Sequence, residues 1–254
     1  MLIPRVIPCL LLKDKGLVKT VKFKNPKYVG DPINAVRIFN EKEVDELIFL
    51  DITATIEKRP PPIDVISQIS DECLMPLTFG GGISTVDQVK QVLNSGAEKV
   101  SINTSAVENP ILIKEASENF GSQSIVVAID VKKKLFGKYE VFTHDGTRGT
   151  GLDPVQFSQK MEEYGAGEIL INSIDRDGTM QGYDINLIKL ITTAVNIPVI
   201  ACGGAGRVHD FSEALLTGGA SAVAAGSLFV FYGKRRAVLI NYPTKKELEF
   251  LLQQ

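Results

Sequence analysis

The stretch MPLTFGGGIST, residues 75–85, passes from a short apolar segment through three consecutive glycines towards a helix start at Ser84. A related passage, ACGGAGR, occupies residues 201–207. In both passages, glycines allow the tight turn with which a strand gives way to a helix. The two passages lie a little over 120 residues apart, about half of the 254-residue chain. They predict strand–helix units that repeat along the chain.

Eight short apolar segments, with helix-like segments between them, recur along the chain. Such near-continuous apolar strands are typical of a parallel sheet that is buried on both faces. The predicted strands are residues 5–10, 46–50, 75–79, 99–102, 124–129, 168–171, 197–201 and 221–225. Three helical segments begin with a capping side chain before a proline suited to the first turn: Asp31-Pro32, Asn109-Pro110 and Asp153-Pro154. Eight repeats predict an α/β fold, a single (β/α)₈ TIM barrel, with an open doubly wound sheet as the alternative.

A second pair of segments supports an internal repeat. GAEKVSINTS at residues 96–105 is echoed by GASAVAAGSL at residues 219–228, at nearly the same offset. We therefore predict one domain over residues 1–254, made of two related half-barrels at about 1–120 and 121–254. The length also suits one barrel.

The composition is that of a globular protein with a large core, since 44% of the residues are hydrophobic and 23% are charged. A net charge of −2 gives no reason to expect nucleic acid or membrane binding. Cys9, Cys73 and Cys202 form no CxxC pair, and the N-terminus lacks the layout of a signal peptide. We expect a reduced, cytoplasmic protein without a cofactor. His144 and His209 stand too far apart in the sequence to suggest a metal site.

The carboxyl ends of the strands form the active-site face of such barrels. Glycine turns at this face let backbone N–H groups approach an anion. We predict a phosphate cradle after strands seven and eight, and a second one at the equivalent turns of the first half. The alternative is that the glycines only shape the turns. The predicted substrate- and phosphate-binding residues are Lys19, Asp51, Gly81, Gly82, Asn103, Thr104, Asn172, Gly203, Gly204, Gly226 and Ser227.

Two aspartates near strand ends are the predicted catalytic residues. Asp130 ends the apolar segment SIVVAID, where burial would raise its pKa and suit it to general acid–base chemistry; a strand-end cap is the alternative. Asp177, in SIDRDGT, either has the same catalytic role or only fixes the shape of its loop. Six lysines lie between Lys13 and Gly30, and they form either a solvated face or a mobile lid that attracts anions.

Nearly the whole chain resembles the cyclase subunit of imidazole glycerol-phosphate synthase, the HisF family. The most specific stretches are DELIFLDITA, FGGGI, AEKVSINTSAVENP, FGSQSIVVAID, GAGEILINSIDRDGTMQGYD and GGAG. The resemblance implies a TIM barrel that docks a HisH-like glutaminase at the amino-terminal face of its strands. Ammonia then passes through the barrel to a bisphosphorylated substrate at the mouth. The residues that match the family's ammonia gate are Arg5, Glu46, Lys99 and Glu168, with a structural plug as the alternative role.

Two positions depart from the family. Its two catalytic aspartates correspond to Asp130 and to position 11, where this chain has Leu11 within CLLLKDKG. Leucine cannot transfer a proton, so a cyclisation that needs two carboxylates should lose orders of magnitude in rate. Asp145, in THDG, stands where the family usually has a small uncharged residue, and its charge should repel a phosphate.

Two functions follow from these observations. The resemblance implies a cyclase subunit that serves histidine and purine synthesis. Leu11 instead favours a paralogue that receives ammonia from the glutaminase and passes it to a third protein. Paralogues that resemble this chain accompany sugar amidotransferases of acetamidino-sugar and surface polysaccharide biosynthesis. A binding barrel without a glutaminase is a third alternative, but it leaves the charged gate without a purpose.

Overall fold

A computed structural model describes residues 4–233, 235–244 and 246–248. Its centre is a barrel of eight parallel strands: β1 Arg5–Lys13, β2 Leu47–Asp51, β3 Leu77–Gly80, β4 Lys99–Ile102, β5 Ile125–Lys133, β6 Glu168–Ser173, β7 Val199–Cys202 and β8 Ala222–Ala225. Each strand pairs with the next. β8 pairs with β1, from Arg5 opposite Ala222 to Pro8 opposite Ala225, and this closes the barrel. The predicted single TIM barrel is therefore confirmed, and the open sheet is excluded.

Helices connect the strands on the outside of the barrel. They are α1 Pro32–Glu41, α2 Ile63–Glu72, α3 Val86–Asn94, α4 Thr104–Glu108, α5 Ile111–Phe120, α6 Pro154–Glu163, α7 Ile185–Thr192, α8 His209–Ser212 and α9 Ser227–Val230, and α8 continues into a π-helical turn, Glu213–Thr217. None of the helices in the described residues is both long and apolar enough to cross a bilayer.

The helix starts agree with the capping signals at two of three places. The side chains of Asp31 and Asp153 accept hydrogen bonds from backbone N–H groups of α1 and α6. The prediction for Asn109 is wrong. This residue ends α4, and its backbone carbonyl rather than its side chain accepts a hydrogen bond from the N–H of Leu112.

Residues of the barrel strands alternate between two apolar cores, because successive side chains point to opposite faces of a sheet. One core lies between strands and helices and includes the fully buried Phe39, Phe49 and Phe79. The other fills the barrel and comprises Ile7, Cys9, Ile48, Val126, Ala128, Leu170, Ile200, Cys202, Ala222 and Ala224. This inner core lies between the strand starts and the barrel mouth.

β1 and β5 extend beyond their predicted bounds because each folds back as an antiparallel hairpin at the mouth. β1 pairs with Gly16–Val21, which pairs with Lys24–Gly30; residues 16–30 are the mouth hairpin. β5 pairs with Tyr139–Thr143 to form the β5 hairpin. Leu11 and Asp130, which we expected at strand ends, therefore lie within strands. The other six strands begin and end within two residues of the predicted bounds.

The lysine-rich segment before α1 is thus folded into strands. Lys22, Lys24 and Lys27 are exposed, as a solvated face requires. Lys19 is only 6% exposed and points into the barrel mouth. A wholly solvated face is therefore the wrong description of this segment.

Candidate active site at the barrel mouth

The carboxyl ends of the strands enclose a cavity of about 1200 Å³, counting the part that is open to solvent. Every barrel strand, or the turn that follows it, contributes to the lining. All of the predicted catalytic and ligand-binding residues line this cavity: Lys19, Asp51, Gly81, Gly82, Asn103, Thr104, Asp130, Asn172, Asp177, Gly203, Gly204, Gly226 and Ser227. Leu11 and Asp145 line it as well.

Asp130 has a pKa raised to about 7. The main cause is burial in the mouth, and the carboxylate of Asp145 adds to it. The side-chain N–H of Asn172 donates a hydrogen bond to Asp130 Oδ1 at 3.3 Å, which opposes the rise in pKa. A carboxyl group that titrates near neutral pH can both take up and release a proton. Position and pKa therefore suit Asp130 to general acid–base chemistry.

Asp145 brings a second carboxylate to the same part of the mouth. The backbone N–H of its neighbour His144 donates a hydrogen bond to Thr104 Oγ1 at 3.2 Å. Burial raises the pKa of Asp145 to about 6, and the charge of Asp177 adds to this rise. Because that pKa lies below neutral, most of the Asp145 carboxyl is ionised at pH 7. A negative charge therefore stands where we predicted phosphate binding by Thr104.

Asp177 anchors the mouth hairpin. Its Oδ2 accepts hydrogen bonds from Thr20 Oγ1 at 3.0 Å and from the N–H of Phe23 at 3.5 Å. Its carbonyl accepts one from the N–H of Lys22 at 2.9 Å. Burial raises the pKa of Asp177, while the nearby Lys19 opposes the rise. Direct contacts thus support the loop-shaping role, and the catalytic role of Asp177 stays a prediction.

Lys19 is the one cation among the predicted binding residues, and its side chain is buried in the mouth. Its Nζ donates a hydrogen bond to the carbonyl of Cys9 at 2.5 Å, and burial lowers the pKa of Lys19. A Cβ at Gly226 would overlap Lys19 Nζ and lie 2.9 Å from the carbonyl oxygen of Cys9, so a side chain there would displace the lysine. Lys19 therefore places a positive charge beside the turn after β8, where we predicted phosphate.

Asp51 is held by its own loop. Its carboxylate accepts hydrogen bonds from the N–H groups of Thr53 and Ala54, and Arg59 Nη1 lies 3.2 Å from it. A side chain at Gly82 would overlap the carbonyl of Arg59, so this loop packs closely on the turn after β3. These contacts are structural, and a role of Asp51 in substrate binding stays a prediction.

The glycine turns of the two halves have similar surroundings. Gly82 packs on a carbonyl of the loop after β2, and Gly204 packs on a carbonyl of the loop after β6. Asn103 and Gly226, which precede α4 and α9, have similar backbone angles of φ −114°, ψ −84° and φ −111°, ψ −69°. The division of the chain into two half-barrels remains a prediction that these similarities favour.

At the opposite end of the barrel, four side chains form a charged ring: Arg5, Glu46, Lys99 and Glu168. Arg5 donates to Glu46 at 2.6 Å and to Glu168 at 2.7 Å. Lys99 Nζ lies 3.2 Å from both carboxylates. Thr78 Oγ1 also donates to Glu46, which is only 2% exposed. The fold thus brings the predicted gate residues together, with each charge between two opposite charges, and their role as a gate stays a prediction.

The interior between the charged ring and the mouth is apolar apart from a few hydroxyl groups. On the β8 side, the interior is lined by the small side chains of Ala222 and Ala224. The buried Oγ of Ser101 has no hydrogen-bond partner among the described residues. An unpartnered hydroxyl in such surroundings costs free energy. Its hydrogen-bonding capacity is therefore unused by the described residues.

The lining or supporting residues that escaped prediction include Thr20, Phe23 and Arg59. Thr20 and Phe23 lie in the lysine-rich segment, where the alternation in LVKTVKF is a strand signal that could have located them. Arg59 lies in an irregular loop that carries no periodic signal. Among the described residues, no group of three or more His, Cys, Asp or Glu side chains is placed to hold a metal ion.

A comparison against known families agrees with the closed barrel. Residues 5–235 match the family described as histidine biosynthesis protein, and the chain belongs to this family. Within it, the chain is 54% identical to a Pseudomonas aeruginosa protein provisionally named imidazole glycerol phosphate synthase subunit hisF2, over 96% of this chain and 98% of the relative. The chain is a member of the HisF group, and the resemblance inferred from the sequence is confirmed.

Two further relatives match at similar identity. The chain is 50% identical to a Vibrio vulnificus protein provisionally named imidazole glycerol phosphate synthase subunit hisF3, over 100% of this chain and 98% of the relative. It is 49% identical to the imidazole glycerol phosphate synthase subunit HisF of Alkaliphilus metalliredigens, over 90% of this chain and 91% of the relative. Identity alone therefore does not separate the numbered names from the unnumbered one.

Proposed function

We propose that this chain is the synthase-type subunit of a glutamine amidotransferase. It receives ammonia from a HisH-like glutaminase at the strand starts and channels it to the mouth. The charged ring is the observation that carries this proposal. Charges gathered around a barrel axis are costly to desolvate, and an apolar plug would close the barrel at a lower cost. A gate that has to open would explain why charged rather than apolar side chains occupy this end of the barrel.

The interior behind the ring suits ammonia. Neutral ammonia enters apolar surroundings far more easily than ammonium, because burial of an unpaired charge is costly. The unpartnered Ser101 Oγ, two residues along β4 from Lys99, offers a hydrogen bond where the interior meets the mouth cavity. A path with these properties favours delivery of ammonia in its reactive form.

We further propose that the acceptor differs from the family's cyclisation substrate. Leu11 lies opposite Leu50 of β2 in the strand register, and both line the mouth, so this side is apolar. Of the carboxylates that remain, Asp177 is engaged by the mouth hairpin and Asp145 lies near the predicted first-half phosphate cradle. The chain then acts as a paralogue that supplies ammonia to a sugar amidotransferase for acetamidino-sugar biosynthesis. A phosphorylated ligand is still expected at the Lys19 side of the mouth.

The names hisF2 and hisF3 support a paralogue, since such numerals are given to further copies of a protein. A cyclase subunit of histidine biosynthesis is the second candidate. It is favoured by the pKa of Asp130, which is raised to about 7 and suits proton transfer.

The test follows the amide nitrogen of isotopically labelled glutamine in mixtures of this chain with a HisH-like glutaminase. One reaction contains the bisphosphorylated cyclisation substrate, and another contains a sugar amidotransferase with its sugar. Both contain excess unlabelled ammonium. We expect labelled sugar product that bulk ammonium does not dilute. We expect no measurable cyclisation, because Leu11 cannot transfer a proton.

Two outcomes would count against the proposal, and each touches a different part of it. Cyclisation at the turnover of a few per second that is common among enzymes would contradict the changed acceptor and support the second candidate. Sugar product labelled only at the ratio of the bulk solution would contradict channelling through the barrel.

A further inference from the structure

The tip of the β5 hairpin carries two large apolar side chains that contact little of the protein. Phe136 is 104% exposed and Leu135 is 85% exposed. Adjacent exposed apolar side chains at one tip mark an interaction site more often than a scattered surface leucine does. We name residues 132–138 the β5 tip. It takes no part in the site at the mouth.

The β5 tip projects beyond the mouth. β5 continues to Lys133, three residues past Asp130, and a strand rises about 3.3 Å per residue, so the tip begins roughly 10 Å beyond Asp130. A tight turn closes it, in which the N–H of Lys134 donates to the carbonyl of Lys138 at 2.7 Å. Within this turn Phe136 has φ 67°, a left-handed conformation that is unfavourable for a bulky residue. The chain therefore holds an aromatic ring in solvent at a conformational cost.

Positive charge surrounds the two apolar side chains. Lysines occupy positions 132, 133, 134 and 138. Glu140 pairs with Lys134, and Asp175 accepts a hydrogen bond from the N–H of Lys133 at the base of the hairpin. The positive charge is local, because the whole chain has a net charge of −2. The expectation of no membrane binding rests on the net charge of the whole chain, which does not reveal this local cluster of lysines.

Shape and charge together indicate the kind of surface that the tip binds. The tip is convex, so a protein partner would need a pocket that matches it. A bilayer interface accepts leucine and aromatic side chains without a preformed pocket, and its anionic headgroups attract lysines. We propose that the β5 tip binds anionic lipid bilayers, with Leu135 and Phe136 inserted below the headgroups. In this bound orientation the barrel mouth faces the membrane. The membrane proposal does not rest on the proposed function.

The chain contains no tryptophan, so Phe136→Trp places a single fluorescent reporter at the tip of the full-length protein. The variant is mixed with vesicles of equal parts phosphatidylglycerol and phosphatidylcholine, or of phosphatidylcholine alone. We expect a blue shift of the emission with the anionic vesicles only, and its loss at high salt. Leu74→Trp is the matched control, because Leu74 is also 85% exposed but lies between α2 and β3 at the opposite end. Its emission should not change.

Cosedimentation with the same vesicles, using the wild type and variants that carry no tryptophan, completes the test. We expect Lys133→Glu combined with Lys138→Glu to weaken binding at least tenfold or so, because each lysine contributes to attraction by the headgroups. Leu135→Ser combined with Phe136→Ser should weaken it similarly while keeping every lysine. The proposal is wrong if the wild type does not bind anionic vesicles. It is equally wrong if the serine variant binds as well as the wild type, or if the emission of Phe136→Trp stays unshifted on bound protein.

Discussion

Asp145 is a single residue whose charge affects both the stability of the fold and the ligands that the mouth can accept. Burial raises its pKa from an ordinary value of 3.8 to about 6. Between about pH 4 and pH 6 the folded protein therefore keeps a proton that the unfolded chain has released. In that window the unfolded chain binds fewer protons, so the free energy of unfolding falls as the pH rises.

Asp145→Asn should remove this fall in the free energy of unfolding. We expect the stability of the variant relative to the wild type to increase as the pH rises from about 4 to 6 and to stay constant above that window. A rise in pKa from 3.8 to about 6 corresponds to about 3 kcal/mol. Asp145 is only partly buried, and solvent screening reduces the expected advantage to roughly 1–2 kcal/mol. Chemical unfolding at several pH values measures the difference. Glu115→Gln is the control, because Glu115 is exposed on α5, away from the mouth, and the change of charge is the same. Parallel stability curves for the wild type and Asp145→Asn would contradict the prediction.

Residue identities predicted much of the chemistry of the mouth. A raised pKa of Asp130 follows from its place in an apolar strand, and the structure agrees with that direction. The partners of Asp177 were not predictable, because Thr20 and Phe23 lie more than 150 positions away in the chain. Only folding of the mouth hairpin over the barrel creates those contacts.

The mouth hairpin is an element that a single distant side chain, Asp177, holds through two hydrogen bonds. Asp177→Asn removes the negative charge that faces Lys19 and weakens the hydrogen bonds from Thr20 and Phe23. Hydrogen bonds to charged groups contribute about 1.5–3 kcal/mol, so we expect amide hydrogen exchange of residues 16–23 to become roughly tenfold faster or more. Mass spectrometry of exchanged peptides measures this rate.

Asp175→Asn serves as the control for this change. Asp175 lies two positions away, but it accepts a hydrogen bond from the β5 hairpin rather than from the mouth hairpin. Its substitution should leave exchange in residues 16–23 unaltered. If Asp177→Asn loses ammonia transfer while exchange in the mouth hairpin stays at the wild-type rate, Asp177 is catalytic and does not anchor the hairpin.

At the scale of the whole molecule, the charged ring lies at the end of the barrel opposite the mouth, where we propose that the glutaminase docks. Lys99→Glu leaves Arg5 as the only cation of the ring, facing three carboxylates. Breaking a buried charge network of this kind costs about 3–5 kcal/mol at full burial, and the 16% exposure of the Lys99 side chain places the expected loss near the lower figure.

We also expect Lys99→Glu to uncouple glutamine hydrolysis from ammonia delivery. Labelled amide nitrogen should then appear in bulk ammonium and reach the acceptor only after dilution. Lys90→Glu is the control, because Lys90 is exposed on α3 and carries the same charge change away from the ring. Undiluted transfer by Lys99→Glu at the wild-type efficiency would mean that the ring is a structural plug.

Several properties of this protein could be inferred without coordinates. Eight apolar segments with helices between them can bury both sheet faces in few ways, so periodicity predicts the barrel. Motifs and single positions identified the HisF group, the members of the charged ring and the departure at Leu11. These features are local in the chain, or depend on which strand end a residue occupies.

Other properties depended on contacts between distant segments. The alternation in LVKTVKF indicates a strand, but no local signal shows which segment it pairs with. The burial of Lys19 beside Gly226 and the exposure of Phe136 likewise have no local signal strong enough to predict them. The hydrogen bonds of antiparallel pairing are made by backbone groups, so these lysine-containing segments form strands without the continuous apolar pattern of the barrel strands. The burial, the pKa and the partners of a side chain are set by the segments that pack over it, and those segments meet only when the barrel closes.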